Sequence, residues 1–376
     1  MTLTRRKTLA LIGGGVVLAA TATTMTLTKA PETALAPWAA AGQYGEPRMR
    51  ALSWAILAPN PHNRQPWMAD LATPDEITLY VDTNRLLPHT DPFNRQITIG
   101  LGCFLETLRM AAAEEGRGTQ ITLFPEGEDP QALDQRPVAH IRFAGSADPD
   151  PLFAHVLARR SNKEPYDITR AVPDQALTQL NSSVRHTRIA SSNAPEHVAD
   201  MRQLSHNALL VEIETPHTYK ESVDLFRIGR REVNANPDGI DFTGPLFEAM
   251  HRTGLMTREA ALDTSSTMYS EGVKAVLANT DTAMAHVWIA TQGNSRSDQI
   301  RAGYDWMRLN LATTALGLSI QPLSQALQEY PEMAAHYAEI HERLAQPGET
   351  VQMFARLGYG PEVPPSPRWG VGAKTL

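Results

Sequence analysis

The sequence predicts an α+β fold made of two related halves, and three observations lead there. Short alternating or β-branched runs that read as strands, such as Ile77-Thr78-Leu79-Tyr80-Val81, are interleaved with long stretches of helical spacing. Sliding the chain by 300 − 99 = 201 residues aligns Ile99, Gly102, Leu108, Ala111 and Gly116 with Ile300, Gly303, Leu309, Ala312 and Gly317. In both copies a helix with a glycine near its start ends in glycine and runs into a strand. Finally, 376 residues are better explained by a duplicated α+β unit than by one unrepeated domain.

The elements follow in order. Met49, Leu52 and Ile56 carry a helix after Gly45, and the strand at 77–81 comes next. Leu87 to Asn94 is a turn-rich link. Ile97 to Glu115 places Ile97, Leu101, Leu105, Leu108 and Ala112 on one helical face and stops at Gly116. Ile121 to Phe124 and Val138 to Phe143 read as strands. Asp148-Pro149-Asp150-Pro151 divides a first half, 42–150, from a second half, 151–376. A helix is expected from Pro151 through Arg159-Arg160, with others at 173–182 and 195–215. Residues 231–270 carry Asn236-Pro237-Asp238-Gly239 and Thr243-Gly244-Pro245. Such a long, weakly regular stretch reads as a lid, with disorder as the alternative. Val273 to Asn279 reads as a buried strand or short helix, Ala285 to Thr291 likewise, and Asp298 to Leu316 as a strong helix.

Residues 1–41 read as an export signal and linker. Arg5-Arg6-Lys7 precedes an uncharged stretch from Leu9 to Thr28, a charged region followed by a weakly hydrophobic one. The adjacent arginines resemble a twin-arginine signal; an ordinary secretory signal is the alternative. Ala34-Leu35-Ala36 or Ala39 to Ala41 offers small residues for cleavage, so a mature start near 37–42 and a periplasmic location are expected, with only transient membrane contact. Net charge is 34 − 41 = −7 with no basic face, against nucleic-acid binding. A single cysteine, Cys103, excludes an internal disulfide and reads as a buried thiol.

Three segments are polar in a way that packing does not explain. In Ala58-Pro59-Asn60-Pro61-His62-Asn63-Arg64-Gln65-Pro66-Trp67 the prolines restrict a loop that could offer amides to a planar, heteroatom-rich ligand. A polar turn before a buried Trp67 is the plainer account. Arg159-Arg160-Ser161-Asn162-Lys163 could bind a phosphate if the chain leaves its helix there. A solvated helix end is the alternative. The third is Arg356-Leu357-Gly358-Tyr359-Gly360 with Pro367-Arg368-Trp369, which reads equally as a late phosphate contact or a frayed tail. The chain has no G-x-G-x-x-G, no G-x-x-x-x-G-K-[ST], no H-E-x-x-H and no G-x-S-x-G, so the commonest nucleotide, zinc and esterase signatures are absent.

Together these segments resemble the nitroreductase family of FMN flavoproteins, and within it the single-chain Acg-type subfamily. The loop is similar to that family's "APSxHNxQPW", "RRSNK" to its R-x-S-x-[RK] phosphate motif, "LATTALGLSIQPLSQAL" to its G-L-x-x-x-P turn, and "RLGYGPEVPPSPRWG" to its terminal strand and arginine. The likeness runs over roughly residues 48–376. It implies an intramolecular pseudo-dimer with one complete FMN site, because the Pro-rich loop occurs once, in the first half, and the phosphate motif once, in the second. By position, Arg159, Ser161, Lys163 and Arg368 would hold the FMN phosphate and ribityl chain. Asn60, Pro61 and Asn63 would face the isoalloxazine, and Leu323, Ser324 and Gln325 would bring backbone groups to the flavin N5 edge. Asn60 stands where the family loop usually has serine, and Trp369 where an arginine is often found. The resemblance implies electron transfer from a small-molecule donor to a quinone, nitro compound or similar acceptor. A non-catalytic FMN-binding or storage protein is the alternative.

Overall fold

The computed structural model describes residues 29–376, so the Arg5-Arg6 motif and the stretch to Thr28 lie outside the described residues. A helix, α1 (Glu32–Ala40), opens the described chain. The first half then comprises α2 (Pro47–Ala55), β1 (Trp67–Asp70), β2 (Glu76–Val81), α3 (Arg95–Glu114), β3 (Arg117–Leu123) and β4 (Ala139–Ser146). Its sheet has the order β1-β2-β4-β3, with every neighbouring pair antiparallel.

The second half contains α4 (Asp174–Asn181), β5 (Arg188–Ser192), α5 (Pro195–Glu214), α6 (Pro216–Asp224), β6 (Phe226–Ile228), α7 (Gly229–Ala235) and β7 (Ile240–Phe242). It continues through α8 (Pro245–Arg252), α9 (Arg258–Leu262), α10 (Thr267–Thr280), β8 (Ala285–Gln292), α11 (Arg296–Ala315), β9 (Ser319–Pro322), α12 (Ala334–Leu344) and β10 (Glu349–Gly358). Its main sheet runs β5-β8-β10-β9, again all antiparallel. Substituting β5, β8, β9 and β10 for β1 to β4 reproduces the order of the first sheet. In each half a 20-residue helix joins the second strand to the third. The fold is therefore α+β with two halves of one topology.

The two long helices cross at the glycines that the internal echo aligned. A Cβ on Gly102 would lie 2.3 Å from the Ile300 carbonyl oxygen, and one on Gly303 would lie 2.1 Å from that of Ile99. Only residues without a side chain permit this approach. Cys103 is buried there, and its thiol donates to the Gly303 carbonyl at 3.2 Å. Burial pushes that thiol's pKa up, which keeps it a thiol rather than a nucleophile. One hydrophobic core runs through the crossing, taking Trp67, Leu79 and Phe104 from the first half and Val287, Ile289 and Leu309 from the second. A second cluster, with Met201, Trp288 and Phe354, contains residues from α5, β8 and β10. Every residue of β8 but the last is buried, which explains a continuous apolar run that sequence alone left between strand and helix.

Three expectations need correction. The helix expected from Pro151 through Arg160 is only a 3₁₀ turn, Pro151–His155, after which the chain runs irregularly; the Asn162 N–H donates to the Ile320 carbonyl beside β9. Residues 231–270 are mostly helical rather than weakly regular, because Pro245 and Thr257 start short helices and Ser266 caps a 14-residue one, with left-handed Gly239, Gly244 and Gly254 in the turns between. Residues 32–40 are not an external linker. They form α1, with Ala34, Pro37 and Trp38 buried. A run of small residues fits a packed helix as well as it fits an irregular linker, and only the burial of Trp38 tells the two apart. Among the described residues, no helix is long and apolar enough to cross a membrane.

Candidate functional site

The Pro-rich loop leaves α2 and turns sharply before β1. Pro61–Asn63 form a 3₁₀ turn, and three non-glycine residues take left-handed backbone angles: His62 (φ 45°), Asn63 (φ 51°) and Gln65 (φ 50°). Such angles cost roughly 1–2 kcal/mol each, so the surroundings must enforce them. Asn60 Oδ1 accepts the Gln65 N–H at 2.7 Å, closing the loop on itself. A Cβ on Gly100 of α3 would meet Asn60 and Pro61 at 3.2 Å, so the helix glycine leaves room for the loop. Trp67, which ends the segment, is fully buried against Phe104.

Two distant segments clasp this loop. From the C-terminal tail, Arg368 Nη1 donates to Asn63 Oδ1 at 2.7 Å, the Trp369 N–H to Gln65 Oε1 at 2.9 Å, and Lys374 Nζ to the Gln65 carbonyl at 2.7 Å. Burial lowers the Lys374 pKa to about 7. From the expected lid, Gln65 Nε2 donates to the Pro237 carbonyl at 2.7 Å, and the Gly239 N–H to the Asn63 carbonyl at 3.3 Å. Asp238, buried between them, is gripped by Arg85 at 2.5 Å, Arg227 at 2.8 Å and Arg64 at 3.4 Å.

The phosphate-motif arginine meets the same loop from the second half. Arg159 Nη2 and Arg368 Nη2 each donate to the Leu57 carbonyl at 3.2 Å, and Arg368 also reaches the Ala58 carbonyl at 3.1 Å. Both side chains are buried, their acceptors are neutral oxygens, and the Nε of each has no partner among the described residues. Burial, then the charge of Arg160, lowers the Arg159 pKa to about 10. Burial, then Arg159, lowers that of Arg368 to about 9. Arg160 and Arg368 both lie over the Trp38 indole, at 5.0 and 5.5 Å. Buried cations facing neutral oxygens and orphaned N–H donors are the electrostatic complement of an anion. A phosphate monoester fits that donor set.

The remaining candidates divide. Ser161 is half-buried and Lys163 exposed on the same irregular segment. His62 is half-buried; burial, then the charges of Lys163 and Arg64, lowers its ring pKa to about 4. Gln325 and Gln328 hydrogen-bond the buried Glu212, whose pKa burial raises; the Lys163 charge acts on the same carboxyl. Ser324 begins the turn after β9, its carbonyl accepting from the Leu327 N–H. The Leu323 N–H is already donated to the Phe354 carbonyl at 2.9 Å, so it offers no free donor to a ligand. Arg356 is likewise engaged, with Gln321, Thr282 and the Glu164 carbonyl as acceptors and Tyr166 beneath its guanidinium, and is a strut within the second half. In the first half Arg48 and Arg50 bind backbone carbonyls, so they form no second phosphate motif.

Sequence reasoning missed Trp38, Asp238 and Lys374. The first was assigned to the linker, and Asp238-Gly239 reads locally as an ordinary turn. Beside the loop, a cleft of about 400 Å³ lies between Arg64 with Leu86–His89 and His217 with Lys220 of α6.

No family model matches the chain. A Mycobacterium tuberculosis protein named "Putative NAD(P)H nitroreductase acg" is 25% identical over 328 residues, covering 84% of this chain and 90% of that protein. A second "Putative NAD(P)H nitroreductase" of the same organism is 25% identical over 342 residues, covering 84% and 87%. Among solved structures, the FMN-dependent nitroreductase NfnB of Mycobacterium smegmatis in complex with NADPH matches at 18% identity and a TM-score of 0.34, covering 58% of this chain and 94% of that one. The chain is thus similar, over most of its length, to proteins named as nitroreductases.

Proposed function

We propose that this chain is a nitroreductase-type oxidoreductase with one FMN per chain, working outside the cytoplasm after export on a twin-arginine-type signal. The observation that carries the reading is the convergence of Arg159 and Arg368, buried with orphaned Nε donors, on the backbone of the Pro-rich loop from the other half. Arg159, Ser161, Lys163 and Arg368 hold the phosphate and ribityl end, and Asn60, Pro61 and Asn63 line the ring. Bound FMN supplies hydride and electron transfer from a small-molecule donor to a quinone, nitro compound or similar acceptor. The protein binds and orients. Its cationic surroundings favour anionic groups, the Gln65 bonds fix the loop, and the segment around Pro237 keeps water from it. NAD(P)H is named with the relatives, yet nicotinamides are scarce outside the cytoplasm, which favours another donor.

A second reading is an FMN-binding or storage protein, favoured by the grip of three arginines on Asp238, which holds the lid segment against the loop. Purified protein should be yellow with one FMN per chain. Bleaching by NADH, NADPH or dithionite, followed by reoxidation with quinones and nitroaromatics, separates the readings. Reduction by dithionite alone, without acceptor turnover, favours storage. The Arg159→Ala/Lys163→Ala double variant should release the flavin; stoichiometric retention would move the site elsewhere.

A further inference from the structure

We propose that α1 is a strap over the anion end of the site and that Trp38 positions Arg160 and Arg368 for a phosphate-bearing ligand, an inference that takes the ligand's identity from the FMN reading. Trp38 is 9% exposed, and its indole lies against the guanidinium carbons of Arg160 at 5.0 Å and Arg368 at 5.5 Å. Two like charges brought to one place repel, and the electron-rich face of an indole offsets that repulsion. An aromatic face also takes up none of the N–H donors lying in the guanidinium plane. Arg368 Nε is left without a partner among the described residues, whereas Arg160 gives Nε to the Val363 carbonyl and Nη1 to those of Leu157 and Arg159, so Arg160 contributes chiefly its charge.

The strap is tied at both ends to parts that the site uses. Trp38 Nε1 donates to the Ser366 carbonyl at 2.8 Å, and the Arg368 N–H donates to the Ala34 carbonyl at 2.8 Å. These two bonds clamp α1 onto the tail that carries Arg368. The Ala34 N–H donates to Asn234 Oδ1 at 3.1 Å, tying α1 to α7 at the start of the expected lid. A cut after Ala41 removes Trp38, and a cut after Ala36 removes both bonds of Ala34. Retention of the strap calls for any processing to fall before Glu32.

The test compares FMN with riboflavin, which lacks the phosphate, on the full chain and on Trp38→Ala and Trp38→Phe variants by fluorescence titration. Trp38→Ala should weaken FMN about ten-fold. It should leave riboflavin within about two-fold, and Trp38→Phe should recover most of the FMN affinity because the aromatic face remains. A purely structural role for Trp38 would lower both affinities together, and that outcome overturns the proposal, as does unchanged FMN binding in Trp38→Ala. Failure of the unaltered chain to bind either flavin removes the FMN reading itself and this inference with it. Binding by the unaltered chain that Trp38→Ala leaves intact removes the inference alone.

Discussion

His62 is held in left-handed backbone with a ring nitrogen, Nδ1, that finds no partner among the described residues; burial disfavours its charged form, and the like charges of Lys163 and Arg64 add to that. The folded state therefore resists protonating it down to about pH 4, whereas an unfolded histidine takes a proton near its ordinary value of about 6.5. Between those values the unfolded chain binds more protons, so this residue's contribution to stability falls as pH drops from about 6.5 to 4 and is level below that. Urea midpoints at pH 7 and pH 4.5 should show the wild type losing on the order of 1 kcal/mol more than His62→Gln over that interval. Equal losses would mean that the ring protonates freely in the folded protein. At this scale the sequence pointed to a stiff polar loop but not to the strain in it, because a left-handed angle at a non-glycine residue leaves no local mark.

Among elements, the segment between α7 and β7 is the instructive one. Asp238 is met by guanidinia from β6 (Arg227), from the Pro-rich loop (Arg64) and from the turn after β2 (Arg85), while the neighbouring backbone bonds Asn63 and Gln65. Removing the carboxylate leaves three partly buried cations facing one another, the kind of uncompensated charge that costs about 3–5 kcal/mol. Asp238→Asn should therefore release the segment locally while the sheets stay intact. Amide exchange at Gly239, whose N–H donates to the Asn63 carbonyl, should rise at least about ten-fold by hydrogen-exchange mass spectrometry. Unchanged protection there would show that the backbone bonds alone hold the segment down. The turns of this segment were legible from its Pro-Asp-Gly and Gly-Pro stretches. Its helices were not, because α7, α8 and α9 run for only seven, eight and five residues, too short for a helical period to stand out.

For the whole molecule, the joint between the halves is the α3–α11 crossing. With the Gly303 Cβ position 2.1 Å from the Ile99 carbonyl oxygen and 2.7 Å from the Gly102 Cα, any side chain forces two backbones apart. Gly303→Ala should cost at least about 1–3 kcal/mol in urea unfolding, the usual range for overpacking. Gly102→Ala should do the same, and the double variant should cost less than the sum, since one separation accommodates both methyls. Additive, small effects would indicate that the helices slide past each other without loss.

The sequence by itself determined the α+β class, the doubling of one unit and the central helix of each half. Those features rest on periodicity, turn chemistry and motif composition, all local properties of the chain. Only the tertiary structure decided that Arg356 is a strut while Arg159 and Arg368 meet over Leu57, that Leu323 has no donor to offer, and that the Trp38 indole lies against Arg160 and Arg368. Each of those outcomes depends on which buried oxygen or ring a donor reaches in a segment remote along the chain, from about 30 residues for Leu323 to about 310 for Arg368. Local sequence sets which groups are available, and burial sets which of them are left without a partner.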